Sequence, residues 1–137
     1  MKKVKFAVAG CGNIGRRHVA VIDADPRAVL TAVCDIDRKQ CEKLSQAYSG
    51  LTCYTDYQKM LSETDADIIS ICTPHGLHAD MAIAAAKAGK NILVEKPMAL
   101  SVKDAERMVK AAKEHDVKLI VVKQNRFNVP VVRLRQA

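Results

Sequence analysis

Gly10-Cys11-Gly12-Asn13-Ile14-Gly15 sets three glycines at the spacing of a phosphate-binding turn. It follows a β-branched apolar run, Val4 to Ala9, and opens a stretch of helical spacing, Ile14 to Ala24. In that context Gly10 permits a tight turn and Gly12 lets the backbone approach a pyrophosphate. Gly15 lets the helix lie close on the strand. The first N–H groups of such a helix, around Asn13 and Ile14, lack intrahelical partners and offer partial positive charge to phosphates. About twenty residues on, Asp35 closes a second apolar run, Ala28 to Cys34, with Ile36 next to it. A carboxylate at that distance accepts hydrogen bonds from an adenosine ribose and repels a 2′-phosphate, which favours NAD over NADP. Arg38 is the counter-signal, since a nearby guanidinium can accommodate that phosphate.

Three more groups follow later apolar runs. Thr73-Pro74-His75-Gly76-Leu77-His78 comes after Ile68 to Cys72, and Glu95-Lys96-Pro97 comes after Asn91 to Val94. Each has an ordinary reading: histidines start helices, and surface Glu-Lys pairs are common. Their position argues for more, because both stand where strands end. An ammonium such as that of Lys96, beside a hydroxyl being oxidised, would stabilise the charge that develops as the proton leaves. Gln124-Asn125-Arg126 follows a last run, Lys118 to Val122, and Arg126 could meet a carboxylate or phosphate bidentately.

Stepwise alternation of short apolar runs with helical patterns must position these groups. Helices are expected over Arg38 to Tyr48, Tyr57 to Ser62 and Ala79 to Ala88, the last closed by Gly89. Ser101 with Asp104 three residues on resembles a capping box and starts a helix running to about His115. A short strand is expected at Thr52 to Tyr54, and another helix near Pro130. The fold class is therefore α/β: a Rossmann dinucleotide-binding domain with a doubly wound parallel sheet in the order 3-2-1-4-5-6. Its ligand crevice lies at the carboxyl ends of strands one and four. Methyltransferases that use S-adenosylmethionine share the glycine turn and the acidic strand end. A non-catalytic NAD-sensing regulator on the same fold is the other alternative, and the Glu95-Lys96 pair argues against it.

Composition narrows the classes further. The chain has 137 residues, the size of one domain. With three Tyr, two Phe and no Trp, its core must be aliphatic, which suits helices packed on a sheet. The net charge of +7 is spread over helix faces such as Lys103, Arg107, Lys110 and Lys113, with no nucleic-acid motif. No run reaches the ~20 apolar residues of a membrane span. Five cysteines without CxxC spacing indicate neither a disulfide framework nor a metal site and fit a reducing cytoplasm.

Gly10-x-Gly12-x-x-Gly15, Asp35, Thr73-Pro74 with His78, Ala88-Gly89-Lys90 and Glu95-Lys96-Pro97 occur in the order and spacing of one family. The chain resembles the glucose-fructose oxidoreductase/inositol dehydrogenase (Gfo/Idh/MocA) oxidoreductases over essentially its whole length. The resemblance implies an NAD-dependent dehydrogenase with Lys96 at the active site. Gly10, Gly12, Asn13, Ile14, Gly15, Asp35, Ile36, Thr73, Pro74, His78, Glu95 and Lys96 would contact the cofactor. Many members carry Asn where this chain has His75. The tail Lys123-Gln124-Asn125-Arg126-Phe127 is similar to the WlbA/WbpB-type branch, which oxidises UDP-linked N-acetylglucosaminuronic acid at C3. Lys96, Gln124, Asn125 and Arg126 would then meet a sugar or UDP-sugar. The resemblance also implies a division into a dinucleotide domain over 1–123 and, over 124–137, the start of a connection to a C-terminal substrate domain. A homo-oligomer is expected of the full-length protein.

Overall fold

A computed structural model describes residues 2–136, leaving Met1 and the last residue of the expected final helix, Ala137, outside. Strands and helices alternate as β1 (Val4–Ala9), α1 (Asn13–Ala24), β2 (Ala28–Cys34), α2 (Arg38–Ala47), β3 (Thr52–Tyr54), α3 (Tyr57–Glu63) and β4 (Ile68–Ile71). After a 3₁₀ turn at His75–Leu77 come α4 (His78–Lys87), β5 (Asn91–Val94), α5 (Val102–Glu114) and β6 (Leu119–Val121). A second 3₁₀ turn, Gln124–Phe127, precedes α6 (Val129–Gln136). The strands form one parallel sheet in the order β3-β2-β1-β4-β5-β6, as the alternation predicts.

Side chains alternate across the sheet with the period of two that a strand imposes. Ala7, Ala9, Ala32, Cys34, Ile69, Ile71, Ile92 and Val94 belong to the core shared with α3, α4 and α5. Val8 and Val33 belong to the opposite core, under α1 and α2. Alanines at 79, 82, 85 and 86 bring α4 close to the sheet, and Met60 and Met108 fill the wider gaps. Burying an Ile or Met side chain of this kind stabilises the fold by about 1.5–3 kcal/mol.

Local chemistry sets the helix ends. Gly89, at φ +70°, closes α4 in the left-handed conformation expected of it. The Ser101 oxygen accepts the Asp104 N–H at 3.1 Å, starting α5. The expected capping box is altered, because the Ser101 hydroxyl itself donates to the Asp104 carboxylate at 2.8 Å. One expectation fails: a disulfide joins Cys41 on α2 to Cys53 on β3, with Cα atoms 5.7 Å apart. The chain between them reverses and lays β3 against α2, a tertiary contact that spacing alone does not reveal. Among the described residues no helix is long and apolar enough to cross a membrane, and no group of three or more His, Cys, Asp or Glu could hold a metal ion.

Candidate active site

β1 and β4 are neighbours at the centre of the sheet, yet α1 and α4, which follow them, pack on opposite faces. Their connections diverge and open a crevice at the carboxyl ends of the two strands. Gly10 forms its floor at φ +93°, and a Cβ there would lie 2.7 Å from the Cys72 carbonyl. A Cβ on Gly15 would stand 1.7 Å from the Gly10 oxygen, so the helix can approach only without one. At Gly12 a Cβ would meet nothing within 4 Å, leaving space over the turn.

Gly12 caps α1 without any side-chain hydrogen bond, whereas Asp37, Asp56 and Ser101 cap α2, α3 and α5. The uncapped first turn and the room above Gly12 fit a pyrophosphate.

Asp35 stands at the end of β2, half-buried. Its Oδ2 accepts the Cys11 N–H at 2.7 Å, and its Oδ1 accepts the Asp37 N–H at 2.8 Å. The carboxylate is thus aimed by the glycine turn, and each oxygen keeps acceptor capacity for a ribose. Ile36 beside it is 95% exposed. Arg38 is engaged elsewhere: its Nε donates to Glu42 at 2.7 Å, and that carboxylate holds the guanidinium charged. Cys11 is no nucleophile. Burial, then the Asp35 charge, push its thiol up to about 12.

One expected contact residue turns inward. His78 begins α4 on its inner side and is fully buried, its Nδ1 2.8 Å from the Pro97 carbonyl and its Nε2 3.0 Å from the Thr73 carbonyl. Its ring therefore offers no nitrogen to the crevice and instead ties the loop after β4 to the turn after β5. The reason is rotational: the 3₁₀ turn at His75–Leu77 swings His75 and Leu77 outward and His78 in. Glu95 keeps only 13% of its side chain exposed. Thr73 is half-buried with its hydroxyl donating to the Met81 sulfur at 3.2 Å, and Pro74 is exposed at the crevice edge.

Lys96 is exposed at the carboxyl end of β5, and the Lys96–Pro97 bond is cis. A groove of about 1090 Å³ runs along α1 and the neighbouring sheet face; Ile14, His18, Glu95, Gln124 and Asn125 share it. Arg126 is exposed but does not line this groove. His18 is the residue sequence reasoning passed over. It had a signal, because Ile14, His18 and Ile22 recur at helical spacing on one face of α1.

The model of the oxidoreductase family with an NAD-binding Rossmann fold matches residues 4–123. The chain belongs to the Gfo/Idh/MocA family. Within it, the chain is 38% identical to the WlbA dehydrogenase of Chromobacterium violaceum, solved in complex with NADH and UDP-GlcNAcA. The two superpose at a TM-score of 0.96, over 100% of this chain and 40% of that one. The Bordetella pertussis WlbA dehydrogenase, solved with the same two ligands, gives 37% identity and a TM-score of 0.95 over 99% of this chain and 42% of that one. D-apiose dehydrogenase of Paraburkholderia graminis is 31% identical over 100% of this chain and 36% of its own length. The chain thus spans about two fifths of the length of such relatives. Family membership sets the methyltransferase alternative aside.

Proposed function

We propose that this chain is the dinucleotide-binding part of an NAD-dependent dehydrogenase that oxidises a hydroxyl of a sugar or sugar nucleotide. One observation carries the reading: the topology sets the exposed Lys96 at the end of β5, at the rim of the crevice floored by Gly10. A regulator that only senses NAD has no need of a lysine there. Gly10, Gly12, Asn13, Ile14 and Gly15 hold the pyrophosphate; Asp35 takes the adenosine ribose, and Ile36 offers an apolar flank to the adenine. Thr73, Pro74 and Glu95 border the nicotinamide ribose, with His78 acting from behind rather than by contact.

NAD, when bound, supplies the hydride acceptor. Lys96 hydrogen-bonds the substrate oxygen and stabilises the charge that develops on it, while the hydroxyl proton passes to a base of the substrate domain. Residues 1–123 form the dinucleotide domain, and 124–137 begin the connection to a substrate domain. Gln124, Asn125 and Arg126 then meet the substrate. UDP-N-acetylglucosaminuronate, oxidised at C3, is the favoured substrate; the tail motif and the two WlbA neighbours support it.

Steady-state turnover by the full-length protein tests this, with UDP-N-acetylglucosaminuronate compared against free sugars and inositols. Lys96→Met should lower kcat by about 10²-fold or more, the scale of a lost acid-base group, with little change in NAD affinity. Near-normal kcat with lost NAD binding would make Lys96 a cofactor anchor and overturn its catalytic role.

A further inference from the structure

Ser70, His18 and Glu95 come from three elements and meet on one side of the sheet. Ile69 and Ile71 of β4 face the core under α3–α5, so Ser70 between them faces α1. Glu95 follows Val94 on β5 and by the same alternation faces α1 as well. His18, on α1, lies between them: its Nδ1 is 2.7 Å from Ser70 Oγ and its Nε2 is 2.9 Å from Glu95 Oε1. A carboxylate only accepts, so Nε2 carries the hydrogen. The other carboxylate oxygen, Oε2, accepts the backbone N–H of Lys96 at 3.2 Å. A continuous chain of hydrogen bonds therefore runs from the buried hydroxyl of Ser70 to the peptide group of Lys96.

We propose that His18 is a positioning residue for Lys96, bracing the Glu95 carboxylate that holds the Lys96 amide. The proposal rests on the catalytic reading of Lys96. A Ser–His–Glu order invites comparison with a nucleophilic triad, but Ser70 has no exposed surface and cannot meet an acyl group. The network's product is orientation. His18 and Glu95 leave 14% and 13% of their side chains exposed, so their contact is little screened by water. Without His18, the Glu95 side chain regains its rotamer freedom and the Lys96 peptide loses a fixed acceptor. The brace also joins the cofactor helix α1 to the strand that carries the lysine, setting the two halves of the site against each other.

Asparagine at position 18 reaches Ser70 but stops short of Glu95, whereas glutamine places an amide nitrogen near the position of Nε2. In the full-length protein, His18→Asn should lower kcat about tenfold or more, as for a misplaced catalytic group. NAD affinity should hold, and His18→Gln should recover much of the loss. The His18→Asn/Glu95→Gln double variant should be no worse than the poorer single variant, since both break one chain. Hydrogen exchange of the Lys96 amide in residues 1–137 supplies a readout free of turnover. Protection should drop about tenfold in His18→Asn and in Glu95→Gln, and persist in His18→Gln. Should His18→Asn fail to fold, Glu95→Gln and His18→Gln still give the contrast. Additive losses in the double variant, or Lys96 protection unchanged in Glu95→Gln, would overturn the proposal. A full-length protein that oxidises no hydroxyl would instead overturn the dehydrogenase reading, with the exchange result unaffected.

Discussion

A methyl group added at Gly15 collides with the Gly10 carbonyl, while one added at Gly12 enters open space. Gly12 also sits at φ −70°, which any residue adopts. The two substitutions should therefore separate folding from binding. Gly15→Ala should cost about 1–3 kcal/mol by overpacking, read from urea melts. Gly12→Ala should keep near-parental stability and weaken NAD binding about tenfold or more by blocking the approach of the pyrophosphate. Asp35 and Arg38 call for a second residue-scale test. With Arg38 bound to Glu42 and Asp35 aimed into the crevice, NAD should bind more tightly than NADP by about 1 kcal/mol or more. Glu42→Gln frees the guanidinium and should narrow that preference. Titration of both cofactors against both proteins checks it, and an unchanged ratio would show that Arg38 does not reach the 2′ position.

Elements start and stop here for reasons a few residues long, and most of those reasons were legible. The glycine turn announced α1, Gly89 announced the end of α4, and Ser101 announced α5. Removing that last cap should be measurable by itself. Ser101→Ala leaves the Asp104 N–H without its acceptor and should cost about 1 kcal/mol in denaturant melts, with no change in NAD binding. The 3₁₀ turn at His75–Leu77 was not legible. Its sequence also suits the first turn of an α-helix, and its conformation decides which histidine faces out.

The buried thiols make the whole molecule sensitive to alkali. Burial first, then neighbouring charges, raise Cys11 from its ordinary 9.0 to about 12, and burial with Asp35 raises Cys34 to about 11. Tyr57, half-buried with its hydroxyl donating to the Met81 carbonyl, is pushed upward too, chiefly by desolvation. Between pH 9 and these higher values the folded chain holds protons that the unfolded chain has lost, so stability must fall as pH rises. Urea midpoints taken from pH 8 upward should show the decline, and Cys11→Ala should flatten it. An identical slope in the variant would remove Cys11 from the cause. The sequence by itself determined the alternation, the strand order and the glycine turn, because local spacing and handedness leave few ways to close a parallel sheet. It also placed Asp35 and Lys96, since strand ends converge on the crevice in that topology. Only the tertiary structure decided that His78 turns inward, that Cys41 meets Cys53, and that Ser70, His18 and Glu95 join. Each depends on how far a helix rotates and slides on the sheet. That is set by side-chain packing between residues distant in the chain, and the spacing of a single segment carries no record of it.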